Sequence, residues 1–166
     1  MDRARKRWLL SDAVIGAVGG YVGLAVMDLV TSRVYTLASQ ADKDREAAVS
    51  PGVAYAVAAR KSAAVVGVAL TDDQAKAVGS AFHYAIGIGW APVYPLLRRL
   101  PAMPSLAAGL LTGLGLWAVF DEGLVPSLGL SAPNSAYPLS THLRGFFGHL
   151  SYGLTVMTVV EAARLG

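Results

Sequence analysis

The sequence predicts an all-α integral membrane protein, a four-transmembrane-helix bundle with an additional interfacial or extramembrane helix between spans one and two. Two observations predict this class. The 166 residues are 54% hydrophobic and only 15% charged, whereas a soluble domain carries about a quarter charged residues. The chain also contains four apolar stretches close to the roughly 20 residues that a helix needs to cross a bilayer. Its length fits a single membrane domain, residues 1–166.

The four predicted spans are the stretches from which charge is nearly missing. They run over about 13–35, 77–97, 103–120 and 143–160. In the first stretch only Asp28 interrupts the apolar run before Arg33. The glycines and prolines of these stretches are tolerated in membrane helices, because neighbouring helices satisfy the freed backbone groups.

The connection between spans one and two contains a further predicted helix, 53–70. It is rich in alanine but is split by Arg60 and Lys61, so neither apolar half is long enough to span. A segment of this length and mixed polarity is typical of a helix that lies at the membrane interface or outside it. The second outer connection, 123–141, is rich in Pro, Gly and Ser and predicts an irregular loop.

The distribution of basic residues predicts the topology. Arg98 and Arg99 lie in the short turn between spans two and three, and a basic tail precedes span one. The connection 121–142 contains no Lys or Arg. By the positive-inside rule, both termini of this multi-pass protein are then cytoplasmic.

Several function classes are disfavoured by what the sequence lacks. The chain has no cysteine, which removes thiolate metal sites and cysteine nucleophiles. It has no glycine-rich phosphate loop, no G-x-S-x-G and no H-E-x-x-H, so the sequence points away from an enzyme. Its net charge of +3 comes from 14 basic and 11 acidic residues without a single basic stripe. A nucleic-acid partner is therefore not expected.

Small residues recur at helical spacing on spans one and three. Such faces let membrane helices approach closely, in place of the hydrophobic effect that lipid does not supply. The predicted packing residues are Gly16, Gly20, Gly23, Gly109 and Gly113. Packing within the chain is the favoured interpretation, with a homo-oligomer or a larger membrane complex as the other uses of these faces.

Ionisable residues inside the spans form the candidate site. At 1.5 Å per residue, Asp28 lies about 20 Å above the cytoplasmic start of span one, in the outer third of the bilayer core. The alternating topology brings the other members to a similar level on the outer side. The predicted cluster consists of Asp28, His83, Asp121, Glu122 and His149, with His142 and Arg144 as secondary members. Charges at such depth usually face a bundle interior or an aqueous cavity and mark function.

Three interpretations of this cluster stay open at this point. The side chains would form a structural polar network, a proton or ion pathway, or a metal site for zinc, iron or manganese. Haem ranks below a bare ion, because carboxylates are unusual beside paired haem histidines. The leading functional hypothesis is proton or cation sensing or conduction. The alternatives are a non-catalytic accessory or scaffold subunit and, third, a metal-binding membrane protein.

The C-terminal half resembles a known family. The residues that carry the likeness are His83 followed by AIGIGWAPVY, the Asp121-Glu122 pair followed by Pro126, and the Gly148-His149 step. Over about 80–166 the chain resembles the YagU-like group of small bacterial inner-membrane proteins, a family of unknown function. The resemblance implies a bacterial plasma-membrane location and four helices. The association of such proteins with acid tolerance fits a proton-responsive cluster.

Overall fold

The computed structural model describes residues 3–165, with side chains from Val14 to Arg164. This part of the chain is all-helical and contains no strand. The basic tail, on which half of the predicted topology depends, lies outside the described side chains.

Eight α-helices and two short irregular helices make up the described chain. The α-helices are α1 (Arg3–Leu37), α2 (Gln40–Val49), α3 (Ala54–Val65), α4 (Asp72–Trp90), α5 (Val93–Leu97), α6 (Ser105–Leu116), α7 (Val125–Ser127) and α8 (Leu139–Leu165). A π-helix, Trp117–Leu124, continues α6 into α7, and a 3-10 turn at Asn134–Ala136 precedes α8.

Two helical stretches are long and apolar enough to cross a membrane. They are Val14–Leu37 in α1 and Ser105–Ser127, which joins α6, the π-helix and α7. The other two long helices, α4 and α8, carry charged residues near their ends and do not meet the same requirement. By length and composition, then, two helices are candidates for membrane spans.

The second predicted span is broken near its end. A single helix over 77–97 was expected, but α4 ends at Trp90 and α5 begins at Val93. Pro92 and Pro95 have no backbone N–H, so neither can donate the hydrogen bond that would continue the helix. The third predicted span, by contrast, is longer than expected, because its helix continues beyond residue 120 to Ser127.

The connection after α1 is more ordered than the sequence suggested. Ser39 caps an unpredicted helix, α2, by accepting a hydrogen bond from the Asp42 N–H. The predicted helix over 53–70 is present as α3 and ends before Gly67, whose φ of +74° glycine adopts without strain. Residues 40–65 therefore form two short helices that lie beside the long ones.

Helix α8 is the centre of the packing. It packs against α1 and α6, while α4 packs against α1 and α3. The fully buried side chains at these contacts include those of Leu24, Tyr94, Tyr152 and Val156. The Tyr152 hydroxyl donates a hydrogen bond of 2.5 Å to the Gly87 carbonyl and so ties α8 to α4.

Glycines permit these close approaches. A Cβ added to Gly20 would lie 2.9 Å from the Ile88 Cα on α4, and one added to Gly23 would lie 2.8 Å from the Tyr152 ring on α8. On α6, the Cβ position of Gly109 lies 3.0 Å from the Met157 Cβ. That of Gly113 overlaps the backbone carbonyl of His149. These four predicted packing residues all contact helices of the same chain.

Gly16 differs from the other four, since none of the described side chains or neighbouring helices lies within 4 Å of its Cβ position. This contrast gives a matched pair of substitutions. Gly113→Ala is expected to lower the free energy of unfolding by about 1 to 3 kcal/mol, because the new methyl group meets backbone that cannot move aside. Gly16→Ala is expected to leave stability unchanged or raise it by up to about 1 kcal/mol through helix propensity. Unfolding in mixed detergent micelles measures both, and equal effects would contradict the assigned packing.

Candidate functional site

A cavity of about 750 Å³ lies among α1, α3, α4, the π-helix and α8. Most of its lining is apolar and includes Met27, Phe82 and Phe120. Four members of the predicted cluster also line it, namely Asp28, His83, Asp121 and His149. Four separate helical elements thus each contribute one member of the predicted cluster to one cavity.

The four side chains form two histidine–carboxylate pairs. The His83 Nε2 lies 3.5 Å from the Asp28 Oδ1, and the His149 Nδ1 lies 3.6 Å from the Asp121 Oδ2. Both distances exceed those of ordinary hydrogen bonds, about 2.7 to 3.2 Å. The His83 Nε2 is buried and has no hydrogen-bond partner within the described part of the chain. In each pair, the two side chains therefore lie near each other at a distance longer than an ordinary hydrogen bond.

The backbone of α8 orients the His149 ring. Its Nδ1 donates a hydrogen bond of 2.8 Å to the Gly145 carbonyl one turn earlier. A carbonyl can only accept, so Nδ1 carries the proton and Nε2 is the acceptor of the neutral ring. The His149 side chain is only 10% exposed, which leaves it little freedom to turn away from Asp121.

Glu122 does not line the first cavity. Its carboxylate lines a second cavity of about 350 Å³, next to the first one, together with His142 and Asn134. The Glu122 Oε1 lies 2.8 Å from the His142 Nδ1, and the Asn134 amide donates to the Glu122 Oε2 at 2.7 Å. Asp121 lines this second cavity as well as the first, whereas Glu122 lines only the second, because successive residues of a helix point roughly 100° apart.

The partners of His142 favour its imidazolium form. Its Nδ1 faces the Glu122 carboxylate and its Nε2 lies 3.0 Å from the Asn134 carbonyl, so both nitrogens must donate. Burial by itself would lower the pKa of His142. The hydrogen bonds to Glu122 and to the Asn134 carbonyl outweigh burial and raise this pKa above its ordinary value. The charged ring fastens the loop before α8 to the π-helix.

Arg144 pairs with a residue that the sequence did not single out. Its NH1 and NH2 donate to the two carboxylate oxygens of Glu46 at 3.0 and 2.7 Å, and the Thr141 hydroxyl donates to the same carboxylate at 2.7 Å. The guanidinium also lies over the Tyr35 ring, 5.0 Å from its centroid. Burial tends to raise the pKa of Glu46, but the bonds from Arg144 and Thr141 hold it below its ordinary value. No local motif could have revealed a pair that is 98 residues apart in sequence.

A second contact fastens α3 beside the cavity. The Lys61 Nζ donates to the carbonyls of Leu128 and Gly129 at 3.0 and 2.9 Å. Residues 53–55 and Ala58 line the cavity. We call residues 40–65 the cover segment, since Glu46 fastens one end and Lys61 the other.

The described side chains do not provide a ligand set for the metal interpretation. Among the described side chains, no group of three or more His, Asp or Glu residues is arranged to hold a metal ion. The cavity instead presents its histidines and carboxylates as two separate pairs. The chemistry it offers is proton binding and charge, within an apolar enclosure.

Comparison with known proteins adds no relative. No family model matches the chain, and neither a curated protein nor a solved structure shows significant similarity to it. The case for function therefore depends on the geometry of the cavity.

The contact between Glu46 and Arg144 is expected to stabilise the fold. Glu46→Gln should lower the free energy of unfolding by about 1 to 3 kcal/mol, because it weakens charge-assisted hydrogen bonds to a partly buried guanidinium. This contribution is present above the ordinary pKa of Glu46 and is lost as pH falls through its lowered value. Thermal unfolding in detergent between about pH 3 and pH 7 measures it.

Asp72→Asn is the matched control, since Asp72 also pairs with an arginine but its side chain is 83% exposed. That change is expected to cost less than about 1 kcal/mol. An equal loss for both variants would contradict a special role for the Glu46 contact.

His142 is expected to make stability depend on pH with the opposite sign. Its raised pKa means that its contribution is complete below the ordinary value of 6.5 and is lost as pH rises through the folded-state value. The loss should be about 1 kcal/mol, the worth of one hydrogen bond. Subtracting the curve of the His142→Gln variant isolates this residue from the other histidines. A difference curve that is flat between about pH 6 and pH 9 would contradict the claim that the imidazolium form of His142 stabilises the fold.

Proposed function

We propose that the protein is a four-span bacterial inner-membrane protein, with cytoplasmic termini, that senses protons through the cavity. The membrane part of the proposal is supported by the way α4 and α8 pack alongside the two apolar helices. With 27 residues, α8 is about 40 Å long, more than the hydrocarbon core of roughly 30 Å requires. Large apolar side chains such as Val18, Leu29, Leu106 and Leu111 are exposed and suit a lipid surface.

The observation that carries the proton-sensing proposal is the pair of histidine–carboxylate contacts in one cavity. Imidazole is the side chain whose charge ordinarily changes between pH 5 and 8. A neutral ring at 3.5 or 3.6 Å from a carboxylate gains little from it. A protonated ring gains an ion pair with its carboxylate, and at His83, whose Nε2 is otherwise unbonded within the described chain, it also gains a charge-assisted hydrogen bond; both favour a shorter distance. Protonation would then draw α4 towards α1 and α8 towards the π-helix.

The packing on the cytoplasmic side of the cavity favours sensing over conduction. Leu24 and Leu116 lie at the boundary between the cavity and the buried core. The hydroxyls of Thr112 and Tyr152 both donate to backbone carbonyls and are fully buried. A proton that entered the cavity would meet apolar side chains and committed hydrogen bonds, which offer no ready relay.

The accessory-subunit hypothesis is based on the glycine-rich faces and on the lack of catalytic motifs. The packing of the helices weakens only the first of these two arguments. Gly20, Gly23, Gly109 and Gly113 instead contact helices of the same chain. Stable co-purification of a partner protein from native membranes remains the observation that would favour this alternative.

A single introduced thiol tests the proton-sensing proposal. Because the chain has no cysteine, Ala58→Cys on the cavity wall provides one specific probe. Its maleimide labelling rate is measured at about pH 5.5 and about pH 7.5, on either side of the ordinary imidazole pKa. The rate at exposed Ala47→Cys corrects for the pH dependence of the thiol itself. We expect a corrected difference at Ala58→Cys that disappears when His83→Gln and His149→Gln are added.

Equal corrected rates at the two pH values would contradict proton sensing. Proton flux into dye-loaded proteoliposomes provides the complementary measurement. The packed layer predicts no flux above that of empty vesicles. A flux that falls when His83 and His149 are replaced would establish conduction instead.

A further inference from the structure

The cavity has the size and lining of a site for an organic molecule. Its volume of about 750 Å³ lies within the range of roughly 300 to 1,000 Å³ that is usual for small-molecule sites. Such sites are mainly hydrophobic and aromatic, with a few polar groups that fix orientation. Here Phe82, Phe120 and Tyr55 provide aromatic surface, and the two histidine–carboxylate pairs provide the polar groups.

The charge of the lining defines which molecule fits. Arg144 is the one permanent cation among the described lining residues, and both of its terminal nitrogens are bound by the Glu46 carboxylate. Asp28 and Asp121 instead each lie beside an imidazole. With Arg144 paired to Glu46, these two carboxyl groups give the cavity its acidic character.

We infer that the cavity binds a lipophilic organic cation, with its apolar body against the aromatic lining and its positive charge near Asp28 and Asp121. Both carboxylates are accessible, with side chains 53% and 42% exposed. The unpartnered Nε2 of His83 lies at the same wall as Asp28, so this wall is not satisfied by the protein alone. Aromatic faces add a further attraction for a cation.

Protons and such a cation would compete for the site. When His83 and His149 are protonated, their charges cancel those of Asp28 and Asp121, and the attraction for the cation falls. This pH dependence rests on the proposed proton sensing, whereas binding itself rests on the apolar volume and the two carboxylates. The rings of Tyr55 and Tyr84 are the other titratable groups that lie beside His83.

Tetraphenylphosphonium is a suitable probe, because its charge is permanent and any effect of pH must come from the protein. The full-length protein in nanodiscs is dialysed against the probe at about pH 8 and about pH 5, and uptake by empty nanodiscs is subtracted. Tetraphenylborate, with nearly the same shape and the opposite charge, is the matched ligand control. Asp28→Asn with Asp121→Asn is the test variant, and exposed Asp44→Asn is the matched protein control. Thermal unfolding of each preparation verifies that the variants are folded.

We expect saturable binding at pH 8 that falls at least about tenfold in the double variant, since two charge attractions are removed. It should fall on acidification and be unchanged in Asp44→Asn. Equal affinity in the folded double variant, or equal saturable binding of tetraphenylborate, would overturn the inference and indicate an uncharged occupant such as a lipid chain. Absence of phosphonium binding, with pH-dependent thiol labelling intact, would overturn this inference and leave proton sensing standing.

Discussion

The close approach of α8 to its neighbours is the constraint on which the rest of the structure depends. Tyr152 stands at the centre of it, with its ring against Gly23 of α1 and its hydroxyl on the Gly87 carbonyl of α4. On the neighbouring side of α8, Gly153 lies against the backbone of Gly109 and Gly113 on α6. Three helices are thus fixed against one, at distances that a larger residue at any of these glycines would not allow.

The cavity is a consequence of that packed layer. Leu24, Gly87 and Leu116 belong both to the contacts among the helices and to the lining of the cavity, so the cavity rests directly on the layer. The two histidine–carboxylate pairs lie on helices that this layer holds in fixed relation. A change in the charge of the imidazoles therefore acts on helices that are anchored at one end, which favours small adjustments around the cavity.

Sequence reasoning grouped four residues that line one cavity, but it did not resolve the direction in which each side chain points. Charge-free length and alternating direction bring Asp28, His83, Asp121 and His149 to one level, and these four line one cavity. Depth changes by only 1.5 Å per residue, but the direction of a side chain changes by about 100°. For that reason Glu122, one residue from Asp121, lines only the second cavity, whereas Asp121 lines both. The pairing of Glu46 with Arg144 could not be predicted from the sequence, because only tertiary contacts determine the position of the cover segment.

The Glu46 and His142 contacts, which lie beside the cavity, weaken on opposite sides of a pH interval in which neither is lost. The Glu46 contact is stabilising above about pH 4.5 and weakens only below it, because the pKa of Glu46 is lowered. The His142 contact is complete below 6.5 and weakens only above it, because the pKa of His142 is raised. Between these limits both contacts are intact and hold the cover segment and the loop before α8. Imidazoles begin to take up protons within that same interval. A response to mild acid would therefore be confined to the cavity, with its surroundings unchanged.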